Sequence, residues 1–230
     1  MILPHKFESV GAIILASGQG ERMLGKDKIF SQINGNPLVS YAIRVFDSSP
    51  IVDRIVLVVS NQNVRMGKDI IEKYGASKSS DVCTGGQRRQ DSVRYGLQKL
   101  VDVEWVVVHD GARPFIKPDM IERGIVEARS TGVAIAAVPV TDTVKSVDDS
   151  SVVSATVSRD MLLSIQTPQI FRRKILEDAH QRITTDVTDD AAMIEMLGGV
   201  VRTFEGSRKN FKITTPEDLD VARAILEREI

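Results

Sequence analysis

Four short stretches of the chain are almost continuously apolar: VGAIILA (10–16), RIVLVVS (54–60), EWVVVHD (104–110) and VAIAAVPV (133–140). They are rich in β-branched residues and too short for buried helices, so they read as strands covered on both faces. The segments between them carry helical spacing. Leu38, Tyr41, Ala42, Val45 and Phe46 recur at i, i+3, i+4, i+7 and i+8, and Val93, Leu97 and Leu100 form a similar stripe. Pro118 stands where a first helical turn tolerates proline, ahead of Ile121, Ile125 and Ala128. The last helix has a marked start, with Thr215 as N-cap, Pro216 at the first helical position, and Glu217 and Asp218 complementing the dipole. Alternating strands and helices predict an α/β fold with a mostly parallel sheet, helices on both faces and right-handed crossovers. One segment breaks the rhythm. TDTVKSVDDSSVVSATVSRD (141–160) alternates with period two around a DDSS turn, which predicts an inserted β-hairpin arm. An isolated two-stranded ribbon is marginal in water, so the arm either folds on its own domain or is exchanged with a second subunit.

Composition narrows the functional classes. The 230 residues are 42% hydrophobic, enough for one substantial core, and the length suits a single domain over 1–230 with the arm as an insertion. Thirty basic residues nearly cancel 31 acidic ones, so the basic surplus of a nucleic-acid binder is missing. One cysteine, Cys83, allows no internal disulfide framework and fits a reducing compartment. The first ten residues carry neither a long apolar region nor a small-residue cleavage pattern, and no run approaches a membrane span. The expectation is a cytoplasmic protein with no membrane or nucleic-acid partner.

The chemistry starts at ILASGQGERMLGKDKIF (14–30), a strand followed by a glycine turn and a helix start. Glycines at 18 and 20 let backbone N–H groups converge on phosphate oxygens. Met23 stands where a dinucleotide fingerprint needs a third glycine, and the second strand ends in Ser60 and Asn61, with no acidic residue. A P-loop is excluded too, since no Gly-Lys-Ser/Thr follows. What remains is a glycine loop followed by Arg22, Lys26 and Lys28, a charge better matched to a triphosphate than to a pyrophosphate bridge. The competing reading is a plain strand–turn–helix connection with solvated charges.

Further motifs give the loop a context. GGQRRQDSV (85–93), VHDGARPF (108–115), PVTDTVK (139–145), TVSRD (156–160), QTPQIF (166–171), TDDAAMIE (188–195) and NFKITTPEDL (210–219) follow in order. With the glycine loop, this series resembles the 2-C-methyl-D-erythritol 4-phosphate cytidylyltransferases of the non-mevalonate isoprenoid pathway, over nearly the whole chain. Ribitol-5-phosphate cytidylyltransferases share much of the set. The resemblance implies a Rossmann-like nucleotidyltransferase sheet in a homodimer joined through the arm, and a reaction in which a sugar-alcohol phosphate attacks the α-phosphate of CTP with Mg2+ present. It implies that Ala16, Ser17, Gly18 and Gly20 line the nucleotide loop and that Arg22 and Lys28 stabilise the transition state. Gly85, Gly86, Arg89 and Ser92 would hold the cytosine and ribose end, with Asp110 and Gly111 near the triphosphate and Asp110 beside the metal. Arg113, Thr143, Arg159, Thr167 and Lys212 would grip the substrate phosphate, Thr143 and Arg159 reaching from the partner subunit's arm.

This chain departs from the family pattern at Ser17, where alanine is common, at Gly111, where alanine is usual, and at Asp27-Lys28-Ile29, where Pro-Lys-Gln is frequent. The interval from Arg22 to the lysine is one residue shorter, so Lys26 competes with Lys28, and the apolar step Ile29-Phe30 favours Lys28. His109, alone beside a buried strand, reads as a structural hydrogen-bonder, and Thr188 as a helix cap with Asp189 and Asp190 favouring the helix N-terminus. Arg172, Arg173 and Lys174 read as a solvated helix face. A rival of another class is a nucleotide-binding regulatory protein on the same fold.

Overall fold

The computed structural model describes residues 8–18 and 28–228. A seven-stranded sheet forms its centre. The strands are β1 (Val10–Ala16), β4 (Arg54–Val59), β5 (Ser79–Thr84), β6 (Trp105–Asp110), β7 (Val133–Pro139), β10 (Leu163–Arg172) and β11 (Arg202–Glu205), in the spatial order β11-β7-β10-β6-β1-β4-β5. All pairings are parallel except those of β10, which runs antiparallel to both β6 and β7. Two small ribbons stand apart from it: β2 (Gln32–Ile33) with β3 (Asn36–Pro37), and β8 (Val144–Val147) with β9 (Val153–Val157). The second is the arm expected at 141–160. Its turn is closed by Asp148, whose Oδ1 accepts from the N–H groups of Ser150 and Val152, both at 2.9 Å.

Alternate residues of each central strand serve opposite layers. Ala12, Ile14 and Ala16 of β1 face α1 (Leu38–Ser48), α2 (Val64–Tyr74) and α4 (Pro118–Ala128), with Phe46, Ile70 and Ile121 fully or nearly buried against them. Ile13 and Leu15 face α3 (Arg89–Gln98), α5 (Arg173–Arg182) and α6 (Asp190–Met196), where Leu97, Leu176 and Met193 close the second layer. This two-sided burial is what near-continuous apolar strands require. A third cluster seats α7 (Pro216–Arg228) through Leu219 and Ala222 against Ile33, Leu38 and Ile213. Its start is capped as expected: Thr215 Oγ1 accepts from Asp218 N–H at 3.3 Å, and the Asp218 carboxylate accepts from the N–H of Thr215 at 2.9 Å.

The strand order has a functional consequence. From β1 the chain winds outward to β4 and β5 on one side and later to β6 on the other. The connections reverse there, and the crevice at the carboxyl ends of β1 and β6 is where an open α/β sheet receives ligands. Beyond β6, the register of β10 against β7 shifts between Ile165 and Gln169, which releases Gln166 and Thr167 from that ladder beside the crevice.

His109, fully buried on β6, fastens this junction. Its Nε2 lies 3.0 Å from the Arg113 carbonyl, which can only accept, so Nε2 carries the proton. Nδ1 is then the acceptor for the Thr167 hydroxyl at 3.1 Å, and the Phe46 ring packs against the imidazole at 5.5 Å. His109 is therefore the structural hydrogen-bonder expected. Burial pushes its pKa down to about 4, against the opposing pull of the Arg113 carbonyl and the Asp110 charge.

An unfolded chain protonates this imidazole near pH ~6.5, so the folded state binds fewer protons between there and its own pKa. Folding stability should fall as pH drops from about 6.5 to about 4, by at most about 3 kcal/mol from this group, and level off below. Urea midpoints measured across that window in the native chain and in His109→Asn test this. The variant should show the flatter profile, and equal slopes in the two proteins would contradict the assignment.

Candidate functional site

The crevice is built from three loops at strand ends. The first follows β1. Ser17 is half-buried, and its hydroxyl lies 3.0 Å from that of Ser92 on α3. The Ser92 hydroxyl also accepts from the Gly86 N–H at 3.1 Å and lies 3.3 Å from the Arg88 carbonyl. Gly85 is wedged between them: a Cβ there would stand 2.5 Å from the Ser17 Cβ and 2.7 Å from the Ser92 hydroxyl. Glycine is required at 85 by this close approach, whatever ligand follows. The glycine turn at 85–86 and the loop after β1 are thus one unit, joined by the hydroxyl that replaces the family's common alanine.

The second loop follows β6. Asp110 is 7% exposed at the strand's last position, and its N–H donates to Thr167 Oγ1 at 3.0 Å. Three cations surround its carboxylate: Arg89 Nε at 3.4 Å on Oδ1, and Lys212 Nζ at 3.0 Å and Arg113 Nε at 3.6 Å on Oδ2. Burial alone would raise the pKa of this group. Arg89, then Lys212 and Arg113, outweigh burial and hold it well below the usual carboxylate range. Gly111 donates its N–H to the Leu15 carbonyl at 2.8 Å, which ties the second loop to the end of β1.

The third contribution comes from the segment before α7. Buried Asn210 donates its Nδ2 to the Thr167 carbonyl at 2.8 Å and accepts on its own carbonyl from Arg113 Nη1 at 2.9 Å. Gln166 and Ser207 exchange two hydrogen bonds, at 2.9 and 3.2 Å. These contacts fix the stretch that carries Lys212. Arg89, Asp110, Arg113, Thr167, Gln169 and Lys212 are among the residues lining a cleft of about 530 Å³. Thr167 gives its hydroxyl proton to His109 and one lone pair to Asp110, so its hydroxyl acts here as an anchor for Asp110 and has no donor left for a phosphate.

The structure thus brings together Ser17, Gly85, Gly86 and Ser92 on one side and Arg89, Asp110, Gly111, Arg113, Thr167 and Lys212 on the other, with Ala16 buried at the end of β1 and Gly18 exposed beyond it. Gly20, Arg22 and Lys26 lie outside the described residues, as does the Lys28 side chain. The backbone of Lys28 opens a short 3-10 turn, Lys28–Phe30, in which Ile29 is buried in the core, as the apolar step after the favoured lysine requires. Thr143 and Arg159 do not line the cleft. Both are exposed at the base of the arm, and the Arg159 guanidinium donates to the Thr141 carbonyl of the same arm.

Two expectations are corrected. The cap of α6 is Asp189, whose Oδ1 accepts from Ala192 N–H at 3.0 Å, and Thr188 makes no such bond. Asp190 stands in the first turn of α6 as expected, and it is also fully buried, with Oδ2 2.5 Å from Arg89 Nη1 and Oδ1 3.4 Å from His180 Nε2. Arg172 and Arg173 are likewise more than a solvated face. Arg172 stacks 4.7 Å over the Trp105 ring and pairs with Glu104, and Arg173 pairs with Glu177 at 2.9 Å. Asn210, Gln166, Asp190 and His180 were missed as site-supporting residues, although the first three stand inside motifs already singled out.

Comparison with known proteins gives the chain a family. The family model for IspD, 2-C-methyl-D-erythritol 4-phosphate cytidylyltransferase, matches residues 10–228. A protein of that name from Dehalococcoides mccartyi strain CBDB1 is 46% identical over 221 residues, covering 96% of this chain and 97% of that one. One from Bacillus licheniformis is 42% identical over 221 residues, covering 94% and 95%. The crystal structure of 4-diphosphocytidyl-2C-methyl-D-erythritol synthase from Anaerococcus prevotii superposes with a TM-score of 0.86 at 31% identity, over 97% of this chain and all of that one. By sequence and fold, the chain belongs to the 2-C-methyl-D-erythritol 4-phosphate cytidylyltransferase family.

Proposed function

We propose that the protein transfers CMP from CTP to 2-C-methyl-D-erythritol 4-phosphate, forming 4-diphosphocytidyl-2-C-methyl-D-erythritol and pyrophosphate for isoprenoid precursor synthesis. The observation that carries this reading is the buried Asp110 carboxylate with Arg89, Arg113 and Lys212 around it, at the sheet's ligand-binding edge. Arg89, Arg113 and Lys212 gather on the Asp110 side of the cleft, where they can face phosphate oxygens.

The chemistry asks little of acid–base groups. A phosphate monoester has its second pKa near ~6, so its oxygen is already ionised at neutral pH. That oxygen forms a new bond to the α-phosphorus of CTP, the bond from that phosphorus to the bridging oxygen breaks, and the electron pair leaves with pyrophosphate. What the protein supplies is orientation and neutralised charge. The loop of Ala16, Ser17, Gly18 and Gly20 holds the triphosphate, and Gly85, Gly86 and Ser92 hold the nucleoside end. Arg22 and Lys28 face the α-phosphate. Arg113 and Lys212 hold the alcohol phosphate, with Thr167 anchoring Asp110 behind them.

No three His, Cys, Asp or Glu side chains group to cage a metal among the described residues. Asp110 is the cleft carboxylate at the end of β6, and one carboxylate plus ligand phosphates is a donor set that suits Mg2+. Asp110 would hold that ion, and the ion when bound neutralises triphosphate charge.

Residues 1–230 act as one nucleotidyltransferase domain, and the 141–160 arm serves a second copy of the chain. Support comes from the apolar side chains exposed on and beside it, Val147, Val152, Val153 and Met161, and from Thr143 and Arg159 not being among the lining residues of their own cleft. In the dimer these two residues reach the alcohol phosphate of the partner subunit. No helix among the described residues is long and apolar enough to cross a membrane, in keeping with an enzyme working in the cytoplasm on small anions.

Parallel assays of pyrophosphate release from CTP and Mg2+ with methylerythritol phosphate and with ribitol phosphate test the substrate. Faster turnover of the methylerythritol ester is expected. Preference for ribitol phosphate would replace the substrate, and CTP binding without pyrophosphate release would favour a regulatory protein. Lys28→Ala should lower kcat by about 100-fold or more, the scale of removing one transition-state donor, while the KM for CTP changes by less than about threefold. Loss of CTP affinity at unchanged kcat would contradict that role. Arg159→Ala should raise the KM for the alcohol phosphate about tenfold or more and leave that for CTP nearly unchanged. A defect toward CTP alone would reject the arm's placement at the phosphate.

A further inference from the structure

Behind the cleft lies a carboxylate with no part in the reaction above. Asp190, the first residue of α6, is fully buried, and Arg89 stands as a fork between it and Asp110. The two contacts are unequal. Arg89 Nη1 is 2.5 Å from Asp190 Oδ2, whereas Arg89 Nε is 3.4 Å from Asp110 Oδ1. The closer grip is on the carboxylate away from the substrates. His180, on α5 with a side chain only 4% exposed, sets Nε2 3.4 Å from the other Asp190 oxygen. The start of α6 is itself fixed from β10, because Gln169 Nε2 donates to Asp189 Oδ2 at 2.6 Å while Asp189 Oδ1 caps the helix.

Helix capping does not explain this arrangement, since Asp189 already provides it. Net stabilisation is a poor explanation too, because desolvating a buried ion pair offsets most of its attraction. The direction of the pull is what distinguishes Asp190. An arginine facing one carboxylate closes on it with two parallel N–H bonds. With Asp190 in place, Arg89 cannot do that to Asp110.

We propose that Asp190, flanked by His180, is a positioning residue that draws Arg89 back so that Asp110 remains the shared counter-ion of Lys212 and Arg113. Without the restraint, Arg89 turns both arms of its guanidinium onto Asp110, and Lys212 and Arg113 lose the oxygen that orders them. Removing the Asp190 charge makes the pocket more positive, so attraction for CTP is kept. The damage falls on the geometry reached in the transition state. The proposal rests on the cytidylyltransferase reading, through the phosphate-holding roles of Arg113 and Lys212.

The test uses the full chain with three variants, Asp190→Asn, His180→Gln and His180→Leu. Steady-state kinetics, equilibrium titration with CTP and thermal melting are measured for each. Asp190→Asn should lose about tenfold or more in kcat, as misplacement of substrate-holding groups does, with the dissociation constant for CTP within about threefold of the native chain. His180→Gln keeps a polar group beside Asp190, whereas His180→Leu suits the buried surroundings and removes it. The glutamine variant should retain at least about threefold more kcat than the leucine variant, whatever their order in melting temperature. An Asp190→Asn protein with native kcat would overturn the relay, and so would one whose loss lies wholly in CTP affinity. If Asp190→Asn fails to fold, equal kcat in the two His180 variants overturns it, and the predicted ranking supports it. A native chain that releases no pyrophosphate would instead remove the functional reading, and the relay with it, whereas active native enzyme with unaffected variants removes the relay alone.

Discussion

The attraction between the Asp110 carboxylate and the three cations around it is the interaction on which the site depends. Its members come from the start of α3, the end of β6, the turn after it and the approach to α7. Those segments are far apart along the chain. Left alone, a buried carboxylate would take up a proton. Arg89, Lys212 and Arg113 keep it ionised, and the ionised group in turn keeps them aimed into the cleft. The ion cluster and the neutral hydrogen-bonded layer beneath it, Thr167, His109 and Asn210, divide the labour. The layer fixes the backbone at the end of β6, and the cluster fixes charge above it.

This arrangement suits phosphoryl chemistry. The nucleophile needs no base at neutral pH, so precision in holding two anions against each other is the main requirement. Flexible surface lysines and arginines would meet it poorly. Here Lys212 and Arg113 share one counter-ion, and Arg113 is also held through the Asn210 carbonyl. The sheet topology determines where this can happen, since β1 and β6 end side by side where the winding direction reverses.

Much of this was legible before any coordinates. The apolar runs became β1, β4, β6 and β7 within a residue at each end, and the period-two stretch at 141–160 became a hairpin. Thr215 and Pro216 marked the start of α7 because capping is a local code. Strand β10 was harder. Its QTPQIF stretch holds a proline and a register shift, and its neighbours β6 and β7 are remote in sequence, so neither periodicity nor turn chemistry announces it. The partners of Asp190 were hidden for a related reason. An aspartate at a helix start resembles a dipole partner, and only the fold delivers Arg89 and His180 to it. The same limit applied to Arg172, whose ring and carboxylate partners come from the neighbouring strand and the residue before it. Residues that act through local backbone were readable, and residues that act through a distant partner were not.

Replacing Asp110 with asparagine, which keeps the side chain's shape and removes its charge, tests the central claim most directly. The folded variant should lose about 100-fold or more in kcat/KM for both substrates, because the three cations lose their common anchor. An Asp110→Asn enzyme with native kcat/KM toward CTP and the alcohol phosphate would contradict the account.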